Sequence, residues 1–172
     1  MTDNLKNFNF KQILQSIKAF VFDIDGVLSS SVININQNGN LYRTINTRDS
    51  YILKQSLNNN IHIGIISEND ADGLKDYYEK LGINFISVNS ADKLNCIEKF
   101  ITSLKLEYNE VLYMGDDFSD YEILKRVGLP CCPIDAMNEI REICQYVSKY
   151  EGGKGCVRDI VEQVLRVKKY RI

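Results

Sequence analysis

Short apolar runs alternate along this chain with longer stretches of mixed polarity. Ala19 to Phe22, Ile61 to Ile66 and Val111 to Met114 are almost continuously apolar. Such runs fit strands covered on both faces of a parallel sheet. Asn84 to Val88, Cys131 to Ile134 and Tyr146-Val147 read as shorter strands. Between them, apolar residues recur at helical spacing over Ser50 to Leu57, Ala71 to Leu81, Lys93 to Leu104, Tyr121 to Val127 and Val157 to Val167. Strands that alternate with helices of this length imply right-handed βαβ crossovers. The expected fold is α/β: a Rossmann-like, three-layer, doubly wound parallel sheet. Pro130 and Pro133 flank the Cys131 strand, which suits a sheet edge. One segment breaks the alternation. Val32 to Ile35 and Leu41 to Ile45 flank an Asn-Gly turn at Asn38-Gly39, a strong hairpin signal. A β-hairpin is therefore expected just after the first strand.

The length of 172 residues fits one domain. Residues 1–17 read as a polar N-terminal extension and residues 18–172 as a single domain. Apolar residues make up 44% and charged residues 26%, as in ordinary globular proteins, so global disorder is not expected. The 21 Lys and Arg nearly balance the 23 Asp and Glu, for a net charge of -2. That balance supplies no general attraction to nucleic acid or to an anionic membrane. No apolar run approaches a membrane span, and the first residues lack the apolar stretch of a secretory signal. The five cysteines are odd in number and show no C-x-x-C spacing. They are expected as free thiols of a cytoplasmic protein.

In open α/β sheets, ligands bind beyond the carboxyl ends of the strands. Four polar groups fall there: Asp23-Ile24-Asp25-Gly26-Val27, Ser67, Lys93 and Gly115-Asp116-Asp117-Phe118-Ser119-Asp120. The topology would gather Asp23, Asp25, Asp116, Asp117 and Asp120 at one edge. Carboxylates so close repel and raise each other's pKa unless a hard cation sits among them, and Mg²⁺ favours such oxygen ligands. A carboxylate nucleophile, a metal, a lysine and a hydroxyl suit phosphoryl transfer. Asp23 could attack phosphorus, and Asp25 could protonate the leaving oxygen and later deprotonate water.

These residues resemble the four motifs of the haloacid dehalogenase superfamily. The finer resemblance is to its capless sugar-acid phosphatases, the 3-deoxy-D-manno-octulosonate 8-phosphate phosphatase family. It extends from about Ile17 to Leu165 and includes Asn46-Thr47-Arg48-Asp49-Ser50 and Gly152-Gly153-Lys154-Gly155-Cys156-Val157-Arg158-Asp159. The resemblance implies that Asp23 is the nucleophile and Asp25 the general acid and base. It implies Mg²⁺ on the Asp23 carboxylate, the Asp25 backbone carbonyl and Asp116. Asp117 and Asp120 would hold metal waters or orient Lys93, while Ser67 and Lys93 bind the transferring phosphoryl group. The substrate would be a small acidic sugar phosphate. Family members assemble as tetramers in which a neighbouring subunit helps close each site, here through Gly152 to Arg158.

Spacing agrees with a capless site. Asp25 and Ser67 are separated by 41 residues, Ser67 and Lys93 by 25, and Lys93 and Asp116 by 22, so no gap holds a cap domain. The chain departs from its relatives at Ser67-Glu68-Asn69, where many continue Thr-Gly-Arg and a variant that handles a nine-carbon sugar acid continues Thr-Gly-Glu. Neutral Asn69 cannot pair with a substrate carboxylate as an arginine would. A nonulosonic acid 9-phosphate therefore competes with the eight-carbon acid as substrate. Arg48 with Asp49 is either an internal ion pair at a helix start or a substrate contact; Asn69, Gly153, Lys154 and Arg158 are the other candidate substrate residues. A reading from another class is a non-catalytic receiver-like or scaffold module. A receiver, however, carries its phosphorylated aspartate after the third strand, whereas here the D-x-D follows the first and the second acidic cluster follows the fourth.

Overall fold

The computed structural model describes residues 10–172. Six parallel strands form the central sheet: β1 (Ala19–Phe22), β4 (His62–Ile66), β5 (Phe85–Ser87), β6 (Val111–Met114), β7 (Leu129–Cys132) and β8 (Tyr146–Val147), in the order β5-β4-β1-β6-β7-β8. The hairpin of β2 (Asn34–Ile35) and β3 (Leu41–Tyr42) leaves the sheet after β1. Asn36 closes its turn, the side-chain oxygen accepting from the backbone N–H of Asn38 and Asn40. Among the described residues the remaining elements are helices: α1 over 10–16, α2 (Thr47–Asn58), α3 (Asp72–Leu81), α4 (Lys93–Leu104), α5 (Tyr121–Leu124), α6 (Asn138–Ile143) and α7 (Cys156–Val167).

The period of two in β1 builds the three layers. Phe20 and Phe22 point to one face, where they join Leu14 of α1, Ile52 of α2, Tyr78 of α3 and Ile160 of α7 in one core. Ala19 and Val21 point to the other, against Ile97 and Phe100 of α4, Ile123 of α5 and Ile140 of α6. All four β1 side chains are buried, so the central strand reads as apolar without alternation. No residue of β2 or β3 belongs to either core, and the hairpin leaves Val32, Ile35, Leu41 and Tyr42 exposed. No helix is long and apolar enough to cross a membrane among the described residues. All five cysteines are free, with Cys131, Cys132 and Cys156 buried.

Three expectations are corrected. The strand expected at Cys131 to Ile134 begins at Leu129 instead, and it is an inner strand between β6 and β8. Pro130 is tolerated there because β8 pairs only with Cys131 and Cys132. The Pro130 carbonyl accepts from Gln145 N–H ahead of β8, and the missing amide falls on that same unpaired stretch. Helix α2 starts at Thr47, not Ser50, because Asn46 caps it and accepts from Arg48 N–H at 3.0 Å. Its polar first turn carries no apolar periodicity. Helices α1 and α6 carry too brief an apolar periodicity in the sequence to stand out, since each is short and fully buries one hydrophobic side chain, Leu14 in the first and Ile140 in the second.

Candidate active site

Strand β1 delivers Asp23 to the carboxyl edge of the sheet, 5% exposed. Its Oδ1 accepts from Ile24 N–H at 2.6 Å, and its Oδ2 accepts from Lys93 Nζ at 2.8 Å. Lys93 is the first residue of α4, capped by Asp92, whose carboxylate accepts from Asn95 N–H. The side chain therefore leaves the helix start and runs back over the sheet edge. Lys93 Nζ also donates to Asp120 Oδ1 at 2.9 Å.

Asp120 is fully buried and spends both oxygens. Oδ1 accepts from Lys93 and from the Tyr113 hydroxyl at 2.6 Å, and Oδ2 accepts from Asp116 N–H at 3.0 Å. It orients the lysine and the loop after β6. Asp117 accepts from Phe118 N–H at 2.7 Å and lines the same cavity as Asp23. Asp116 is the carboxylate left unpaired: its Oδ1 is buried without a hydrogen-bond donor. Gly26 lies directly against it. A Cβ at position 26 would come within 1.9 Å of Asp116 Oδ2, and φ there is +86°, so only glycine lets the two loops meet.

The electrostatics follow from three carboxylates sharing one ammonium. Oxygens of Asp23, Asp116 and Asp120 lie within 4.8 Å of one another. Burial, then the charge of Asp120, pushes Asp23 up to about 7 against the pull of Lys93. Burial, then Asp23 and Asp120, pushes Asp116 up to about 8. Lys93 moves above its ordinary value because the two carboxylates outweigh its burial. The unpartnered Asp116 oxygen and this surplus of negative charge fit a hard divalent cation on Asp23 and Asp116.

Asp25 stands apart from that cluster. Its carboxylate takes a two-pronged grip from Arg43, Nε to Oδ1 at 2.6 Å and Nη2 to Oδ2 at 2.9 Å. Asn69 Nδ2 donates to Oδ2 at 3.0 Å and Ser29 Oγ to Oδ1 at 3.2 Å. Burial alone would raise Asp25, but these donors and the Arg43 charge hold it below the usual carboxylate value. Ser67 is buried at the end of β4, with its hydroxyl accepting from Asn69 N–H at 3.3 Å. Asp23, Asp25, Ser67, Asn69, Lys93, Asp116 and Asp117 thus line one cavity of about 200 Å³, joined by Glu68 and Ser119.

Other candidate residues do not reach that cavity. Arg48, Lys154 and Arg158 line a separate groove of about 500 Å³ beside α7. Arg158 pairs there with Glu162 at 3.1 Å. An Arg48–Asp49 ion pair is not formed: Asp49 is buried, its Oδ1 accepts from Arg158 N–H at 2.8 Å and its Oδ2 has no partner. The glycine pair packs behind the loop after β1. Gly153 N–H donates to Val27 O at 2.8 Å, and a Cβ on Gly152 would lie 2.1 Å from Gly26 O.

Sequence reasoning missed Arg43, Ser29 and Tyr113. For Arg43 a signal existed: it is the one charged residue between Asp25 and Arg48. A lone cation in a polar and apolar hairpin, close behind an acidic motif, is a candidate partner for that motif, though the sequence does not say which carboxylate it meets.

A family described as haloacid dehalogenase-like hydrolase matches residues 83–158. The 3-deoxy-D-manno-octulosonate 8-phosphate phosphatase KdsC of Escherichia coli (strain K12) is 30% identical over 151 residues, 88% of this chain and 80% of the relative. The crystal structure of the same-named phosphatase from Yersinia pestis superposes with a TM-score of 0.89 at 28% identity, covering 92% of this chain and 86% of that one. A Moraxella catarrhalis phosphatase of that name, in complex with magnesium ion, phosphate ion and a KDO molecule, gives a TM-score of 0.88 at 26% identity, covering 92% and 91%. Fold, site and relatives together define a phosphomonoesterase built on a three-layer α/β sheet. More particularly, the chain belongs to the haloacid dehalogenase-like hydrolases, and within them it is similar to the 3-deoxy-D-manno-octulosonate 8-phosphate phosphatases.

Proposed function

We propose that this protein is a Mg²⁺-dependent phosphatase of a small acidic sugar phosphate, with 3-deoxy-D-manno-octulosonate 8-phosphate as the leading substrate. The observation that carries the reading is the buried Asp23 carboxylate held 2.8 Å from Lys93 in a cavity that also presents Asp25, Ser67 and Asp116. Mg²⁺ would be held by Asp23, the Asp25 backbone carbonyl and Asp116. When bound, it supplies charge compensation for the phosphoryl oxygens.

Asp23 attacks phosphorus through a carboxylate oxygen, and the bond from phosphorus to the sugar oxygen breaks with its electron pair going to that oxygen. Asp25, a carboxylate in the free protein, takes up a proton from solvent as substrate displaces one of its neutral donors and gives it to the leaving oxygen, so a neutral alcohol departs. Asp25, now a carboxylate, takes a proton from water as the water oxygen attacks the aspartyl-phosphate. Inorganic phosphate leaves and the Asp23 carboxylate is restored. Lys93 and the Ser67 hydroxyl bind phosphoryl oxygens through both steps, and Asp120 keeps the lysine aimed.

One observation favours a second substrate. Asn69 presents a neutral amide that is already donated to Asp25, so this edge of the cavity carries no free guanidinium for a sugar carboxylate. A nonulosonic acid 9-phosphate is the alternative. A homotetramer with sites completed by neighbouring subunits is part of the same reading. The exposed Ile35 and Leu41, a cross-strand pair on one face of the hairpin, offer an apolar contact for it, and the groove of Arg48, Lys154 and Arg158 lies apart from its own chain's cavity. Phosphate release from a panel of eight- and nine-carbon sugar-acid phosphates, with hexose phosphates as controls, tests the proposal in Mg²⁺ and in EDTA. Release should need the metal and vanish in Asp23→Asn. Absent or metal-independent release across the panel would overturn it.

A further inference from the structure

We propose that Arg43 is the positioning residue for the general acid and base Asp25, tying the orientation of that carboxylate to the root of the β2–β3 hairpin. The inference rests on the phosphatase reading, and it assigns a role to a side chain outside the motifs. A carboxylate has about four lone-pair sites. In Asp25 all four are taken: Oδ1 by Arg43 Nε and Ser29 Oγ, Oδ2 by Arg43 Nη2 and Asn69 Nδ2. For Asp25 to exchange a proton with a leaving oxygen or with water, one donor must give way. The neutral donors are the longer ones, at 3.2 and 3.0 Å, while the Arg43 contacts run at 2.6 and 2.9 Å. A substrate oxygen can therefore displace Ser29 or Asn69 while the charged fork keeps the carboxylate plane fixed.

Arg43 is built to stay where it is. Its side chain is only 7% exposed. Its third nitrogen, Nη1, donates to the Asp70 carbonyl at 2.9 Å, which anchors it to the loop after β4. That loop carries Ser67 and Asn69. One guanidinium thus spans the hairpin root, the loop after β1 and the loop after β4, and a planar fork sets orientation where a point-charge lysine cannot.

Leaving-group dependence tests the assignment. An alkyl or sugar phosphate needs the acid, whereas p-nitrophenyl phosphate has a leaving group that departs unprotonated. General acid catalysis is worth about 10²–10⁴-fold, so Arg43→Met should lower the single-turnover rate of alcohol release from the sugar phosphate by roughly tenfold or more and that of p-nitrophenolate release by less than about threefold. Arg43→Lys should recover only part of the loss. In an Asp25→Asn background, Arg43→Met should add less than about threefold, because a residue that acts through Asp25 has nothing left to orient. An equal loss on both esters, no loss, or full additivity with Asp25→Asn would overturn the Arg43 role. Thermal melting of each variant shows that it is folded, and the Lys variant carries the test if the Met variant is not. Failure of the wild-type protein to release phosphate from either ester would instead sink the phosphatase reading itself, so the two failures are distinguishable.

Discussion

Asp49 makes a quantitative prediction that is independent of catalysis. It sits in the first turn of α2, fully enclosed where that helix meets α7, with one oxygen on Arg158 N–H and the other unpartnered. Burial pushes it from the ordinary 3.8 up to about 6, against the Arg158 N–H and the Arg158 charge. The folded state therefore binds the Asp49 proton more tightly than the unfolded state. The resulting stability is fully present below pH 3.8, is lost as pH rises toward 6, and stays lost above it. Over the whole window the loss is roughly 3 kcal/mol, and between pH 4 and pH 7.5 it is about 2.5 kcal/mol. Asp49→Asn keeps an oxygen for Arg158 N–H and cannot ionise. It also places an amide where the unpartnered oxygen was, a cost that does not vary with pH. The informative quantity is thus the change with pH and not the offset. Urea unfolding of both proteins at half-unit steps from pH 4 to 7.5 should show the mutant gaining about 2.5 kcal/mol on the wild type as pH rises. A difference that is flat with pH, or that moves in the opposite direction, would refute the claim that burial governs this carboxyl.

Two further predictions concern the charged centre. Lys93→Met leaves Asp23 and Asp120 facing each other without their shared cation, and breaking a buried pair in this way should cost about 3–5 kcal/mol at pH 8. A loss below about 1 kcal/mol in denaturant unfolding would mean that something other than Lys93 neutralises these carboxylates. Mg²⁺ at about a hundred times its dissociation constant should stabilise the wild-type protein by about 2.7 kcal/mol, and Asp116→Asn should lose most of that gain. Equal stabilisation of the two proteins in thermal melts would remove Asp116 from the metal site.

The layered α/β fold was legible in the chain because its cause is local. The apolar run of Ala19 to Phe22 is buried on both sides, and the periodic face of Lys93 to Leu104 packs on one of them, so pattern alone identifies the elements. Asp23, Asp25, Ser67, Lys93 and Asp116 were legible because each lies at the end of a strand or the start of a helix, where topology alone brings residues together. What each carboxylate does there was not. Asp120 gives its oxygens to Lys93, Tyr113 and a backbone amide, while Asp116 keeps one oxygen unpaired, and no rule of composition separates two aspartates four residues apart. Arg43 was passed over for a similar reason. Its grip on Asp25 spans eighteen residues and depends on how the hairpin folds back, which only the three-dimensional path sets. The same path sends Arg48, Lys154 and Arg158 to a groove of their own. Patterning settles which residues are buried or brought to an edge, since hydrophobicity and period act along the chain. The choice of partner for each charge belongs to the tertiary structure, because Coulomb attraction and hydrogen-bond geometry act across ångströms of space whatever the separation in sequence.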